Sequence, residues 1–325
     1  MRRAQALRTV LLSKDDVGLD ERNGQAEVAR RNKTRDGVGE IPLSTKRVQV
    51  VRSLAELRTI VRNWHGAGER VGLVPTMGAL HAGHIALVKT AKAQAQRAVV
   101  SIFVNPTQFA PQEDFSSYPR DEESDLSKLA EVDCDIVWMP DVAEMYPSGF
   151  ATHIIPRGAA EGLESVSRPH FFKGVATVCC KLFTQVGPDL AVFGEKDYQQ
   201  LCVIRQMVRD LNLPLEIVGH PTIREADGLA MSSRNAYLNA EQTAQAPLIH
   251  RELRELATAV AAGMAIRTAT ARTSASLIEA GFKVDYVEVR DAETLAPAEA
   301  GSRRPLRALA AAWLGRTRLI DNIAV

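Results

Sequence analysis

Short apolar runs alternate with amphipathic, helix-length stretches through most of this chain, and that alternation narrows the choice of fold more than any other feature. Residues 71–76 (VGLVPT) and 98–104 (AVVSIFV) are nearly continuous apolar runs, and the segment 83–96 between them is long enough for a helix. Strand, helix and strand of these lengths are what a parallel βαβ crossover requires. The pattern extends both ways. Ser53 and Glu56 have capping-box spacing and open a helix carried by Leu54, Leu57, Ile60, Val61 and Trp64, which Gly66 and Gly68 end. Downstream, helices over 121–131, 175–186 and 198–211 interleave with strands over 134–139, 190–193 and 215–218. Strands that are apolar throughout are buried on both faces. The expected architecture is therefore α/β, a parallel sheet covered by helices on both sides.

The texture changes after residue 222. Two Ala-rich helices over 240–262 and 269–280 precede a strand over 284–289 and final strands over 309–314 and 318–323, with a low-complexity linker at 296–304. That is a smaller α+β unit. Three regions are expected: an N-terminal extension, 1–45; a parallel-sheet domain, 46–222; and a C-terminal α+β domain, 223–325. A length of 325 residues, more than one core usually organises, agrees with this division. The extension carries nine basic and seven acidic residues, no aromatic residue and no sustained period, which is the composition of a solvated segment. It starts acid-free like a targeting peptide, but Asp15, Asp16, Asp20 and Glu21 come too early for a transit sequence. A dispensable tail and a start codon placed too far upstream are the other readings.

Charge removes some partners. With 40 basic against 39 acidic side chains the net charge is +1, so no global field draws in nucleic acid or an anionic membrane. The longest apolar candidate, 308–314, is far below the roughly 18 residues of a membrane span. Cys134, Cys179, Cys180 and Cys202 show no C-x-x-C pairing, so they read as core thiols in a reducing, cytoplasmic compartment.

Ligands of an open parallel sheet bind beyond the carboxyl ends of its strands, and four unusual segments fall in or near that zone. In Pro75-Thr-Met-Gly-Ala-Leu-His-Ala-Gly-His84, Pro75 and Gly78 shape a turn, Gly83 lets the backbone approach a ligand, and His81 and His84 share a helix N-terminus. Free amides, the positive dipole end and two imidazoles suit a polyphosphate. An isolated pair at this spacing is more often one capping and one exposed histidine; its position after a buried strand favours the ligand reading. In Asn105-Pro-Thr-Gln108, uncharged amides can bind a polar substrate, although Asn-Pro also simply turns a chain. In Gly194-Glu-Lys-Asp-Tyr-Gln-Gln200, Lys196 can meet phosphate and Asp197 can bind a ribose or cap the helix. In Met231-Ser-Ser-Arg-Asn235, hydroxyls and a guanidinium can clamp phosphate. No GxxxxGK[ST], GxGxxG or H-E-x-x-H motif occurs.

In this order and spacing, PTMGALHAGH, FVNPTQF, FGEKDYQQ and DGLAMSSRN closely resemble the pantothenate synthetase (pantoate–β-alanine ligase) family. Asp285-Tyr-Val-Glu-Val-Arg-Asp-Ala-Glu-Thr-Leu295 and Arg318-Leu-Ile-Asp-Asn322 extend the likeness, which covers about 48–322. The resemblance implies a class I nucleotidyltransferase-like (Rossmann-like) fold and a two-step reaction. Pantoate attacks the α-phosphorus of ATP to give pantoyl adenylate and pyrophosphate; the β-alanine amine then displaces AMP to give pantothenate. The resemblance further implies that Mg2+ accompanies ATP, with its protein ligands left open, and that the enzyme is a homodimer.

The resemblance also distributes roles. His84 matches the family's catalytic histidine, with His81 and Lys196 beside it. ATP falls to Met77, Gly78, Ala79, Leu80, His81, Ala82, Gly83 and His84, to Gly194, Glu195, Lys196 and Asp197, and to Ile223, Met231, Ser232, Ser233 and Arg234. Gln108 and Gln200 match the pantoate glutamines, and Gln108 also serves β-alanine. A cover is expected around 109–119. The family's Arg-Pro-Gly-His-Phe is Arg168-Pro-His-Phe-Phe172 here, which leaves Arg168 a further candidate and moves the histidine to His170. His220 stands where an apolar residue is commoner, and 1–45 has no counterpart. A different nucleotidyltransferase, a tRNA-charging relative and a nucleotide-binding regulatory module are the competing readings; the lack of a basic face argues against tRNA.

Overall fold

A computed structural model of the chain describes residues 48–110, 115–298 and 304–325. The extension at 1–45 lies outside the described residues, as do parts of the expected cover and of the linker at 296–304. From the N-terminal side, the elements are β1 (Gln49–Val51), α1 (Leu54–Gly66), β2 (Val71–Thr76), α2 (Ala82–Gln94), β3 (Arg97–Ile102), α3 (Glu122–Glu131) and β4 (Ile136–Trp138). The short α4 (Val142–Met145) and α5 (Glu164–Ser167) lead to α6 (Phe171–Val186), β5 (Leu190–Gly194), α7 (Tyr198–Asp210) and β6 (Glu216–His220).

Six parallel strands form one sheet in the order β1-β4-β3-β2-β5-β6. Parity along the strands sorts the core into two layers. Leu73, Val99, Ile136 and Ala191 meet Leu57 and Val61 of α1, Val175 and Leu182 of α6, and Leu201 and Ile204 of α7. One residue on, Val74, Val100, Val137 and Val192 meet Leu87, Val88 and Ala91 of α2 and Leu129 of α3. Each fully buried aliphatic side chain contributes about 1.5–3 kcal/mol, so the sheet is held from both faces, as its continuous apolar runs demand. From β2 the chain steps outward through β3 and β4, then crosses to β5 on the other side of β2. The direction of travel along the sheet thus reverses between β2 and β5, which makes their carboxyl ends the expected ligand crevice.

The C-terminal part comprises α8 (Ala240–Gln245), α9 (Leu248–Ala261), α10 (Ile266–Glu279) and the antiparallel sheet β7 (Lys283–Asp291), β8 (Leu306–Leu314) and β9 (Thr317–Ala324). Ile249, Leu253 and Leu256 of α9 and Ala269 and Leu277 of α10 pack on Val287, Ala310 and Leu319. The sheet and helix pattern is the α/β architecture with a smaller α+β part read from the sequence.

Local details differ from the sequence reading. Ser53 makes no side-chain cap, and the Leu54 amide, the first of the helix, donates to the Glu144 carboxylate at 3.0 Å, a partner 90 residues away. The helix expected over 240–262 is two, broken before Pro247, whose ring removes an amide donor and excludes the helical carbonyl behind it. Helix α6 starts at Phe171, a turn earlier than its apolar period suggested. Strand β1 is too short to register as a pattern, and exists through pairing with β4.

Candidate active site

The loop after β2 is built from tight local constraints. Thr76 Oγ1 donates to the Ser101 carbonyl at 2.7 Å and accepts the Gly78 amide at 3.2 Å. The next two residues are left-handed, Gly78 at φ 81° and Ala79 at φ 51°. An alanine in that region is strained, and the strain needs an external restraint. Asp125 of α3 supplies it: its buried carboxylate accepts the Ala79 amide at 2.9 Å and the Leu80 amide at 2.7 Å. Lys128, one turn on, donates to the Leu80 carbonyl at 2.8 Å.

Helix α2 then begins with His81 as its N-cap. His81 Nδ1 accepts the Gly83 amide at 3.1 Å, and His84 Nδ1 accepts the His81 amide at 3.3 Å. With both Nδ1 atoms accepting, each neutral ring carries its proton on Nε2. The ring centroids are 4.1 Å apart. Burial, reinforced by the Lys196 charge, pulls His81 down to about 4. Burial, then the neighbouring His81 and Lys196, pulls His84 down to about 3. Two neutral Nε2–H donors are the result. Gly83 has a further reason to be glycine, since a Cβ there would sit 2.8 Å from His81 Cε1.

After β3, Asn105 caps the turn Pro106–Gln108 from a buried position. Its Nδ2 donates to Gln108 Oε1 at 3.0 Å and to the Gly174 carbonyl of α6 at 3.3 Å, and its Oδ1 accepts from Tyr146 at 2.8 Å. Gln108 Nε2 lies 3.1 Å from Met77 Sδ, which brings the β2 and β3 loops together. Arg168 donates to the Gln108 carbonyl at 3.2 Å and stacks 3.9 Å from the Phe171 ring.

After β5, a single turn, Glu195–Asp197, precedes α7. Lys196 Nζ stands 3.8 Å from Asp197 Oδ2, and Asp197 makes no capping bond to the helix. The two adjacent glutamines of α7 divide clearly. Both line the cleft, but Gln199 is buried and bonded to the Ala159 and Gly162 carbonyls and the Glu164 amide, whereas Gln200 is only partly buried. In the segment after β6, the Met231 amide donates to the Ile223 carbonyl at 3.0 Å, and Ser232 Oγ accepts the Arg234 amide at 3.3 Å. Tyr118 reaches Ser233 Oγ at 3.3 Å, with the Arg234 guanidinium 6.0 Å from its ring.

These segments enclose one cleft of about 780 Å³, of the size that holds a nucleotide-sized ligand. Its wall includes Met77, His81, Gly83, His84, Gln108, Arg168, Gly194, Lys196, Asp197, Gln200, Ile223, Met231, Ser232, Ser233 and Arg234. Gly78, Ala79, Leu80, Ala82 and Glu195 are not on the wall; the first four shape the loop and helix start, and Glu195 pairs with Arg307 at 3.2 Å. His220 is on the wall, its Nδ1 2.8 Å from the Pro221 carbonyl. His170 is not on it: it opens α6 with its Nε2 buried and unpartnered. Asp125, Lys128 and Tyr118 were not singled out from the sequence. Asp125 reads there as an ordinary acid in a helix's first turn, and no local signal ties it to a loop 46 residues away.

The family model for pantoate-beta-alanine ligase matches residues 49–324. A pantothenate synthetase of a Bradyrhizobium species is 56% identical over 278 residues, covering 85% of this chain and 98% of that protein. One from Mesorhizobium japonicum is 57% identical over 280 residues, covering 86% and 98%. Among solved structures, pantothenate synthetase from Thermus thermophilus superposes with a TM-score of 0.79 at 44% identity, covering 85% of this chain and 99% of that one. The ligase from Francisella tularensis, complexed with beta-gamma ATP and beta-alanine, superposes with a TM-score of 0.71 at 34% identity, covering 85% and 97%. With matching motifs on a matching fold, the chain belongs to the pantoate–β-alanine ligase family.

Proposed function

We propose that the cleft performs its family's reaction, ATP-dependent condensation of pantoate with β-alanine through pantoyl adenylate, with the following division of labour. The N-terminus of α2 and the Nε2–H groups of His81 and His84 face the phosphates. Neutral donors suit this step, because negative charge grows on the α-phosphoryl oxygens and on the departing pyrophosphate while the attacking pantoate carboxylate is already ionised. Lys196, Ser232, Ser233 and Arg234 hold phosphate oxygens, Gly194 and Asp197 the ribose, and Met77 and Ile223 the base. Gln108 and Gln200 orient pantoate without neutralising its carboxylate, and Gln108 next meets β-alanine. Arg168 supports Gln108 through its carbonyl. A cleft that excludes water protects the mixed anhydride until the amine arrives.

Mg2+ enters with ATP as part of that substrate. Among the described residues no group of three or more His, Cys, Asp or Glu side chains converges, so the donors that fit the ion are the phosphate oxygens themselves, with Asp197 the nearest carboxylate to Lys196. Division into domains 46–222 and 223–325, a homodimer and a cytoplasmic location complete the reading. Free thiols at Cys134, Cys179, Cys180 and Cys202 support a reducing compartment, and burial pushes Cys134 and Cys179 up to about 12, which suits inert core groups. No helix among the described residues is long and apolar enough to cross a membrane.

The observation that carries this reading is the convergence of two neutral, Nε2-protonated histidines, Lys196 and the Ser232–Arg234 segment opposite two uncharged glutamines. Pantoate-dependent exchange of pyrophosphate into ATP without β-alanine is the expected result. A folded sample that shows no exchange removes the acyl-adenylate route.

A further inference from the structure

The segment Arg318–Asn322 has no part in the division of labour above, yet its last two residues are among the most buried polar groups of the chain. Asp321 is 5% exposed and Asn322 is 3% exposed, both on β9. Successive strand residues project to opposite sides, so one step along β9 reaches two neighbours.

Asn322 reaches the β5 loop. Its Nδ2 donates to the carbonyls of both Glu195 and Lys196, each at 2.9 Å. Both carbonyls lie ahead of the α7 ladder, in the single turn that leads into it. Binding both fixes the peptide planes on either side of the Lys196 Cα, and hence the direction in which its side chain leaves the backbone. The amide is itself held: Arg307 of β8 donates to Asn322 Oδ1 at 2.7 Å, reaches Glu195 at 3.2 Å and lies 4.1 Å from the Tyr198 ring.

Asp321 reaches the other segment. Arg224 binds it through both terminal guanidinium nitrogens, at 2.7 and 2.8 Å, and also donates to the Gly228 carbonyl at 3.0 Å. The short hairpin that follows, with Arg224 bridged to Ala230 and Met231 bonded to Ile223, delivers the chain directly to Ser232. The Asn322 backbone amide donates to Asp321 Oδ1 at 2.7 Å, so the two anchors are joined.

We propose that Asp321 and Asn322 are positioning residues that tie the Lys196 turn and the Ser232–Arg234 segment to one strand, so that both present their charges to the triphosphate in a single register. The proposal rests on those two segments being the phosphate contacts. It makes adenylation more sensitive to this strand than aminolysis is, because only adenylation orders the departing pyrophosphate.

Measuring the half-reactions separately tests it. Pyrophosphate exchange without β-alanine reads the first; pantothenate formation from supplied pantoyl adenylate and β-alanine reads the second. Asn322→Asp, which places a carboxylate against two carbonyls, is expected to lower the exchange rate by roughly 10-fold or more, a consequence of misplacing Lys196. The second half-reaction and the KM for pantoate are expected to stay within about threefold. Asn322→Ser, which keeps one donor, should fall between, and it carries the comparison with Asp321→Asn if Asn322→Asp does not fold. Exchange within about threefold of the parent, or an equal fall in both half-reactions, overturns the proposal. Lys196→Ala separates it from its premise. Undiminished exchange in that variant removes the phosphate-site reading, whereas a loss there with none in the Asn322 variants removes only this inference.

Discussion

Gly174 offers a direct test of how the Gln108 side of the cleft, proposed to bind pantoate, is held. It lies on α6 where that helix crosses the Asn105–Gln108 turn, and a Cβ at this position would sit 2.5 Å from the Thr107 carbonyl oxygen, 2.7 Å from its carbon and 2.8 Å from Gln108 Cα. All three are backbone atoms, so no side chain can swing away. Ordinary contact begins near 3.4 Å, and Gly174→Ala therefore demands a shift of about 0.9 Å. Helix α6 resists it, being anchored by Phe172, Val175 and Leu182 in the core. The three-residue turn is the part that yields, carrying Gln108 with it and lengthening the Asn105 bond to the Gly174 carbonyl. Overpacking of this kind costs about 1–3 kcal/mol, and a misplacement near 1 Å can cost about 10²-fold in rate. The expected outcome is a fall of about 10²-fold in kcat/KM for pantoate, with KM for ATP little changed, because the proposed ATP contacts follow β2, β5 and β6 rather than β3. Steady-state kinetics with each substrate varied in turn measure this, alongside a melting curve. Gly66→Ala is the control, since nothing lies within 4 Å of a Cβ there. An alanine variant with pantoate kcat/KM within about threefold of the parent would refute the reasoning, because α6 would then be the element that moves.

Three further outcomes are expected. His84→Ala should lower pyrophosphate exchange by roughly 10²-fold or more, the scale for losing a donor aimed at developing charge, and unchanged exchange would move that role to His81 or Lys196. His81 and His84 titrate in the folded protein near 4 and 3, below their usual 6.5. Above pH 6.5 neither state is protonated there; as pH falls from 6.5 towards 4 the unfolded chain takes up protons first, so stability drops. Urea unfolding at several pH values should show a shallower acid slope in His84→Asn, and an identical slope would contradict the assignment. Asp125→Asn sets an amide donor against the Ala79 or Leu80 amide, with an expected loss of about 1–3 kcal/mol in stability. KM for ATP should rise with it, and an unaltered KM would show that the left-handed turn at Gly78 and Ala79 holds without its brace.

Much of the fold was legible because the signals for it are local. The run Val71–Thr76 forms a strand over just those residues, and the segments after β2, β3 and β5 fall at strand ends, as their order in the chain required. Errors came where a distant group took over a local role. Ser53 and Glu56 have the spacing of a cap, but Ser53 makes none, and the first amide of α1 is held by Glu144, 90 residues on. Within 198–211, periodicity alone does not say which of Gln199 and Gln200 turns outward. Only the 159–164 loop, folded over α7, decides it by binding the Gln199 amide.

By itself, the sequence determined the order of most strands and helices, the placing of histidines, amides, lysine and Ser-Ser-Arg at strand ends and in loops, and the family those motifs denote. Such properties depend on backbone preference and hydrophobic period over a few neighbouring residues. The tertiary structure alone decided the charge state and tautomer of His81 and His84, the brace from Asp125, and the anchoring of the Lys196 turn and of Arg224 by Asn322 and Asp321. Each of these depends on desolvation or on hydrogen bonds between residues far apart in the chain, 46 positions for Asp125 and Ala79 and 126 for Asn322 and Lys196. Energies of that kind exist only once the chain has closed around them.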